Sequence, residues 1–565
     1  MRQWMVAAKK ADFYAIAEKF HVDPVVARII RNREVIGEKN IRIYLGGNLS
    51  DLSDPHQMKD MDRLVEILAQ KIRKQAHIRI IGDYDVDGVT SSHLFLTALR
   101  RVGAKVDVVI PHRIQDGYGL SLHLLQQAKE DGVDTILTCD NGIAAIDEIA
   151  WAKAQKMTVL VTDHHAVPFE EHEGRRTEKK SLADAVVNPH QQDCGYPYKE
   201  LCGAGVAWNV IRVLYENYDM DKREAEDLLD FVAMATVCDV MSLTGENRIL
   251  VKEGLKRIRH TKNIGLQALM QACNVQPENI SAYHFGYVLG PCVNATGRLD
   301  TARHALRLFE TGQETEAEEI ARDLVDLNQE RKELTLQGVE MAKKLCEEGG
   351  YENDPVLVLF LPDVHESIAG LIAGRIREMY NRPVFVLTRG EEGVKGSGRS
   401  TENYSMYENM CGCAELFTKF GGHPMAAGLS LPEENVEKFR RKINENCPLT
   451  VEEVCPDIHI DMAMPVGYAS TELVHQFALL EPFGKDNPSP LFADRNLSIS
   501  RMWVIGKNRN VLRMSVLSEY GQPVPVIFFG DVETLFAYFT EKFGQEEVEN
   551  ALHGRKNRIL FSMVY

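Results

Sequence analysis

Three aspartates, Asp83, Asp85 and Asp87, stand at alternate positions in IGDYDVDGVTSSH (Ile81 to His93), and a glycine follows at once. If the segment leaves a strand, alternate side chains point the same way. Like charges on one face repel unless something positive lies between them. Taken alone the stretch has two readings, a polar turn with its acids in water or a cradle for divalent metal. Three further places favour the cradle. TCDNG sets Asp140 directly after an apolar run, VTDHH supplies Asp163, His164 and His165, and ATVCDVMSL sets Asp239 at the end of another apolar run. A lone aspartate after a strand is ordinarily a cap or a turn residue, but capping does not call for histidines beside a row of acids. Carboxylates dominate and no cysteine is suitably placed, so hard cations are expected, Mn²⁺ or Mg²⁺ rather than zinc, and an imidazole ligand inclines the set to Mn²⁺. This many carboxylates suits two ions per site, which can share a bridging carboxylate and stabilise both the attacking and the leaving oxygen of a phosphoryl displacement.

Such a set needs elements that converge. HIRIIGD, KVDVVIP, DTILTCD, MTVLVTD and DAVVNP read as short strands, with amphipathic helical stretches between them such as Val89 to Arg101 and Ala144 to Gln155. This alternation predicts a parallel sheet with helices on its faces. Ligand sites in open α/β sheets lie at the carboxyl ends of the strands, and all four acid-bearing places read as strand ends. Gly88 and Thr90 to Ser92 read as the turn into the next helix, whose N-terminus would face a phosphate.

Glu314 to Leu345 keeps a helical period throughout and reads as one long helix able to join two domains. A second α/β block follows, with PVLVLFLP and RPVFVLT as buried strands and two glycine-rich, less regular stretches, GSGRS and FGGHPMAAGLS. From about Pro456 short strands with turn signals suggest a small barrel of the oligonucleotide-binding kind. The expected organisation is an N-terminal segment (1–55), a parallel-sheet domain (56–260), a helical connector containing the long helix (261–347), a second α/β domain (348–450) and a β-barrel domain (451–565).

The bulk properties narrow the class. The chain has 565 residues and a net charge of −17, which counts against a simple electrostatic nucleic-acid binder. An enzyme on nucleic acid needs only a local basic track. No apolar run is long enough for a bilayer, the N-terminus lacks signal-peptide features, and the eleven cysteines are scattered, so a cytoplasmic protein with no membrane partner is expected.

The motifs in their order resemble those of the DHH phosphoesterase superfamily, and within it the RecJ single-strand-specific exonucleases. DYDVDG, TCDNG, TDHH and ATVCDV match the first four motifs; NATGRL (Asn294 to Leu299), GSGRS and GGHPMAAG resemble later ones, the last two in the DHHA1 domain. EPFGKDNPSP (Glu481 to Pro490) resembles the entry to the family's oligonucleotide-binding domain. The resemblance implies a DHH-type parallel-sheet domain joined by the long helix to a DHHA1 α/β domain, with an OB-like β-barrel after them. It implies two ions. Asp85 and Asp140, with Asp83, would hold the first; Asp87, Asp140, His164 and Asp239 would hold the second, with Asp140 bridging. His165 would contact the scissile phosphate or assist proton transfer, and Asp163 would orient the histidine pair. Smaller superfamily members commonly carry a histidine where this chain has Ile81, and Asp83 is the expected substitute.

For substrate, the resemblance implies single-stranded DNA degraded 5′ to 3′, in repair and recombination, with a single-strand-binding protein and a helicase as partners that no segment here identifies. Asn294, Arg298, His365, Arg375, Ser397, Arg399, Gly422 and His423 lie in or beside the family-like motifs and are the expected substrate contacts, with Ser397, Arg399, Gly422 and His423 near the 5′ end. In the C-terminal block Trp503, Phe528, Phe529 and Tyr538 lie beside Lys507, Arg509 and Arg513, a composition suited to stacking single-stranded bases; if Phe528 and Phe529 share a strand, one of them belongs to the core. Two other functions stay open: a phosphodiesterase for short oligoribonucleotides or cyclic dinucleotides, and a non-catalytic replication scaffold that has kept the fold.

Overall fold

The computed structural model describes residues 4–112, 119–172, 175–351, 353–390, 393–454, 457–506 and 509–565. They form two compact units, one of residues 46–456 with 482–487, the other of residues 1–45, 457–481 and 488–565.

The larger unit opens on five parallel strands, β1 (Ile78–Ile81), β2 (Val106–Val109), β3 (Thr135–Cys139), β4 (Thr158–Thr162) and β5 (Ala185–Val187). Their order is β2-β1-β3-β4-β5. β1 and β3 are buried at every position, as a sheet covered on both faces requires. The order reverses between β1 and β3, and that reversal is where a doubly wound sheet leaves a crevice for ligand.

Helix α1 (Val86–Arg101) follows β1 and packs against α2 (Gly203–Asn217) and α3 (Leu229–Cys238). It begins earlier than its apolar period indicates, because Asp85 caps it by accepting from the Gly88 amide. Thr90 to Ser92 are therefore buried inside the helix and not a turn into it. Asp239 departs from the strand-end expectation as well: it is the C-cap of α3. That helix is apolar and buried nearly all round, so its sequence carries no period to tell it from a buried strand.

Two further helices matter, α4 (Gly290–Leu299) and α5 (Glu314–Glu348). The 35 residues of α5 span roughly 50 Å. Its first half, including Ala317, Ala321 and Leu324, belongs to the core of the parallel-sheet domain. Its second half, with Val339, Ala342 and Cys346, belongs to the next core.

That next core lies under a mixed sheet of β6 (Leu357–Phe360), β7 (Val384–Gly390), β8 (Gly393–Arg399), β9 (Lys419–His423) and β10 (Ala426–Leu431), with helix α6 (Glu366–Tyr380) between β6 and β7. The order is β9-β10-β8-β7-β6, and only β6 and β7 run parallel. The glycine-rich stretches expected to be irregular are thus regular strands. In β8 the alternation is inverted: a Cβ on Gly396 would strike Leu387 and Leu429, and one on Gly398 would strike Met406 and Phe385. Large neighbours fill the core face, glycine is what fits there, and Lys395, Ser397 and Arg399 take the other face.

In the smaller unit the N-terminal residues do not stand as a segment of their own. The strand Trp4–Val6 pairs in parallel with Ile458–Ile460, and Arg33 grips Asp461 with two hydrogen bonds of 2.7 and 3.0 Å. The sheet consists of β11 (Met462–Ala463), β12 (Phe492–Ile505), β13 (Val511–Leu517), β14 (Pro523–Phe529) and β15 (Leu560–Val564). It runs β11-β12-β13-β14, with β15 added on β12. It is a curled half-barrel, since β11 and β14 do not pair, and the helices Val532–Phe543 and Gln545–Leu552 help close its core through Val532, Phe539, Val548 and Ala551. Among the described residues no helix is long and apolar enough to cross a membrane.

Candidate active site

Both strands flanking the sheet reversal end in acids. Donor atoms of Asp83, Asp85 and Asp140 lie within 4.8 Å of one another, as do those of Asp87, His164 and Asp239, and those of Asp140, His164 and His165. His164 is the hinge of the arrangement: its Nε2 stands 3.0 Å from Asp140 Oδ1 and 3.6 Å from both Asp87 Oδ2 and Asp239 Oδ2. That nitrogen is buried and makes no hydrogen bond in spite of three carboxylates around it. A buried polar atom in that state calls for a partner outside the chain. The donors are oxygen-rich with two imidazoles, and Asp140 belongs to two of the three sets, so they fit a pair of hard divalent cations sharing Asp140. Ile81 is a buried strand residue, and Asp83 stands in the donor set.

The main chain holds these side chains. Asp87 accepts from the amides of Gly203 (2.6 Å) and Ala204 (2.7 Å), the first residues of α2, where a helix N-terminus favours an anion. A Cβ on Gly203 would come within 2.6 Å of Asp140 Cβ, and one on Gly88 within 2.5 Å of Asp83 backbone, so both positions need glycine for the acids to crowd this closely. Asp163 takes the Ile143 amide (2.8 Å) on one oxygen and the His164 amide (2.7 Å), the His165 amide (3.1 Å) and His165 Nδ1 (2.8 Å) on the other. It ties the loop after β3 to the loop after β4 and points the His165 ring. Asp140 itself sits at φ 61°, a left-handed conformation uncommon outside glycine. The side-chain Nδ2 of Asn141 secures that turn by donating to the carbonyls of Ile81 (3.1 Å) and Cys139 (2.9 Å).

The electrostatics agree. Burial, then the charges of Asp87, Asp85, Asp83 and Asp239, holds Asp140 well above the usual carboxylate range. Burial and then Asp87 raise Asp85, and burial, Asp87 and Asp85 lift Asp239 to about 8. Burial lowers His164, keeping its imidazole neutral and fit to ligate. Burial also pulls on His165, but its hydrogen bond with Asp163 and the charges of Asp163, Asp239 and Asp87 outweigh that and raise it to about 9. The His165 side chain is 42% exposed where the Asp163 side chain is 1% exposed, so His165 faces the open side.

Helix α4 props the acid loop from outside. Asn294 Oδ1 accepts from the Val86 amide (3.1 Å), and Gly297 lies so near the Tyr84 carbonyl that a Cβ would be 2.5 Å away. Arg298 donates to the Ser367 carbonyl at the start of α6. Beside it opens a cleft of about 470 Å³ lined by Tyr84, Arg298, Lys395, Ser397, Arg399 and Lys419 among others. Tyr84 lies between Asp83 and Asp85 in the chain, so the cleft adjoins the acid cluster. Gly421 and Gly428 pair across β9 and β10 at its floor and leave open space above them.

The structure therefore brings Arg298, Ser397 and Arg399 together. It does not place the other expected contacts on the same walls. His365 caps α6, its Nδ1 accepting from the Ser367 amide. Gly422 lies against the backbone of Ala426 and Ala427, and His423 ends β9 opposite Ala426. Arg375 is exposed, pairs with Glu378, and lines a separate groove with Asn294, Arg298 and Arg331. Tyr84, Lys395, Lys419, Gly203 and Ala204 belong to the site and were not expected from sequence. The signals were present for some: Tyr84 lies inside the acid motif, and CGAG opens α2.

In the smaller unit Trp503 stands on the open face of β12 with Arg501 and Arg513 over its ring, 5.0 and 5.7 Å from the centroid. Ile527 and Phe529 continue that face, and Phe528 turns into the core. Tyr538 is on a helix beside Lys542, Arg509 sits in the turn between β12 and β13, and Lys507 lies outside the described residues.

A parallel sheet with a shared-carboxylate donor set at its reversal, a long helix and a second, cationic sheet together define a protein of the DHH/DHHA1 class. Residues 77–236 match the DHH family N-terminal domain, 353–447 the DHHA1 domain and 460–557 the RecJ OB domain. The chain belongs to the RecJ family. It is 34% identical over 518 residues to the single-stranded-DNA-specific exonuclease RecJ of Haemophilus influenzae, covering 88% of each chain. It is 33% identical over 512 residues to the RecJ of Bacillus subtilis, matching over 90% of its own length and 63% of that relative's. The crystal structure of Thermus thermophilus RecJ in complex with Mn²⁺ superimposes with a TM-score of 0.78 at 27% identity, over 93% of this chain and 76% of that one.

Proposed function

We propose that the protein is a metal-dependent exodeoxyribonuclease that hydrolyses single-stranded DNA from its 5′ end, in DNA repair and recombination. The observation that carries the proposal is the fusion of two donor sets through Asp140, beside a cationic cleft reached past Tyr84. Asp83, Asp85 and Asp140 would hold one Mn²⁺ or Mg²⁺, and Asp87, Asp140, His164 and Asp239 the other. Bound there, the two cations supply charge neutralisation and an activated water for in-line displacement at phosphorus.

The chain's own residues do the rest. Asp163 fixes Nδ1 of His165, leaving Nε2 to meet a phosphate oxygen or give a proton to the leaving oxygen. Arg399, Ser397 and Arg298 seat the 5′ end, a guanidinium being suited to two-point contact with phosphate. Asn294 and Gly297 keep the acid loop in register. The Trp503, Ile527 and Phe529 face gives bases a stacking surface without reading their sequence. This face disfavours dinucleotides as substrate, and the complete donor set disfavours a scaffold without activity. The boundaries 56–260, 261–347, 348–450 and 451–565 remain our division of the working parts, with residues 1–45 joined to the last. A cytoplasmic enzyme working with a helicase that supplies single strands and a single-strand-binding protein that coats them follows from the same reading.

End-labelled single-stranded and duplex DNA, incubated with the protein and Mn²⁺, test it. We expect mononucleotides from the 5′ end of the free strand and little from the blunt duplex. Equal release from both, release from the 3′ end, or none would overturn the proposal.

A further inference from the structure

Outside the metal centre two thiols meet. Cys273 ends the helix Ile264–Ala272, Cys292 sits in the first turn of α4, and their sulfurs are 3.8 Å apart. Both are free cysteines. Cys292 is buried and Cys273 half-buried. The amide nitrogen of Asn328 on α5 donates to Cys292 Sγ at 3.4 Å. The Cys273 thiol first, then Asn328 and the nearby cations Lys332 and Arg331, draw the Cys292 thiol below its usual value against the opposing effect of burial. Cys139, Cys202 and Cys238 differ: they lie near the carboxylates of the metal centre, and burial first, with those charges adding to it, holds all three thiols up and unreactive. Among the described residues Cys273 and Cys292 are the one pair of thiols in contact.

We propose that Cys273 and Cys292 are an oxidative modification site, closed to a disulfide by peroxide, and that closure slows the enzyme. The Cys273 thiol is held up by its hydrogen bond with Cys292 and by burial. The Cys292 thiolate, reached past half-buried Cys273, therefore attacks one oxygen of hydrogen peroxide, the O–O bond breaks, and hydroxide leaves with sulfenic acid on Cys292. Cys273 gives its proton to that hydroxide and attacks the Cys292 sulfur, the S–O bond breaks, and the oxygen leaves as water. Two thiols are oxidised by two electrons and one peroxide becomes two waters. To bond, the sulfurs must come from 3.8 Å to about 2.05 Å. The first turn of α4 gives way toward the Ile264–Ala272 helix. Cys292 is two residues from Asn294, which holds the Val86 amide of the acid loop, and six from Arg298, which reaches Ser367. A shift in that turn therefore reaches both the acid loop and the cleft.

The rate effect rests on the nuclease reading; the disulfide does not. The reduced full-length protein is treated with hydrogen peroxide, the peroxide is destroyed with catalase, free thiols are blocked with N-ethylmaleimide, and unreduced peptides are analysed by mass spectrometry. A Cys273–Cys292 linked peptide, lighter by two hydrogens, is expected. In parallel, release from single-stranded DNA in Mn²⁺ should fall several-fold and recover with dithiothreitol. Cys273→Ser should keep the reduced rate and lose the peroxide response. No link at doses that oxidise the exposed Cys411, or a link with an unchanged rate, overturns the inference. A reduced protein with no nuclease activity speaks against the nuclease reading alone, because the linked peptide is still there to be read.

Discussion

The acid cluster at the β1–β3 reversal and the cationic cleft over β8 to β10 are two gatherings of like charge in one chain, built on opposite plans. The acids are buried, and the main chain fixes them: Asp87 by two amides at the start of α2, Asp163 by three amides and His165. The cations of the cleft are long side chains from three elements, Lys395 and Arg399 on β8, Lys419 on β9 and Arg298 on α4, and they meet their partners through flexible stems: Lys395 pairs with Glu366 and Arg298 with the Ser367 carbonyl. Arg399, for instance, donates to the carbonyl of Gly398 at 2.7 Å and to Ser397 Oγ at 3.2 Å. A centre that must present charge to a reacting phosphate is preorganised by backbone. A grip that must accept successive nucleotides is left adjustable. Loss of a residue in the first should therefore act on turnover, and in the second on binding.

The hardest test of the acid half is Asp140→Ala. It removes the carboxylate shared by two donor sets, and turnover should fall by at least about 10³-fold, since residues acting as one unit lose nearly everything together. Chelation of divalent metal should match it. The fold should survive, because Asp140 is a buried charge among other acids, and its removal relieves repulsion. Circular dichroism and a thermal midpoint no lower than wild type check that point. A variant that stays folded and turns over at a tenth of the normal rate would mean Asp140 is not the bridge.

Arg399→Ala tests the other half. A hydrogen bond to a charged group is worth about 1.5–3 kcal/mol, so KM for 5′-phosphorylated single strands should rise roughly 10- to 100-fold with kcat little changed. The salt dependence of binding should weaken by about one phosphate contact. If kcat fell as it does in Asp140→Ala, the division between fixed chemistry and adjustable grip would be gone.

The two halves were unequally legible in the sequence. The acid cluster could be read because its parts are short and local: an apolar run, then the ligand, three times over in β1, β3 and β4. Asp239 was expected at a strand end and lies at a helix C-terminus, because a helix apolar on every side looks like a buried strand. The amides of Gly203 and Ala204 went unseen, since a backbone donor has no letter of its own. The cleft was harder. Its strand alternates Lys395, Ser397 and Arg399 with glycine, and the reason for glycine, the bulk of Phe385, Leu387 and Leu429 beneath it, lies on other strands. Tyr84 could not be assigned to the cleft without the turn that presents it. The N-terminal strand pairs with residues more than 450 positions away, a contact no local pattern encodes.

A buried acid that serves no metal sharpens the comparison with the smallest effect. Asp230 is 3% exposed at the start of α3, and burial lifts its carboxyl to about 6. It stands outside the donor sets, accepting from Thr261 Oγ1 at 2.6 Å and from the Phe231 amide at 2.8 Å. Below pH about 4 the carboxyl is neutral in folded and unfolded chains and costs nothing. As pH rises through about 6 the folded chain must ionise it in place, and the stability it contributed when protonated is lost. Asp230→Asn keeps both partners and never ionises. It should therefore match wild type near pH 4 and exceed it above pH 6 by about 1–2 kcal/mol, within the roughly 3 kcal/mol that a two-unit shift allows. Thermal midpoints measured across that range read the difference, and nuclease turnover should not change. A gain that appears at low pH and vanishes above pH 6 would have the sign wrong, and burial alone would then not explain why acids at the reversal need cations.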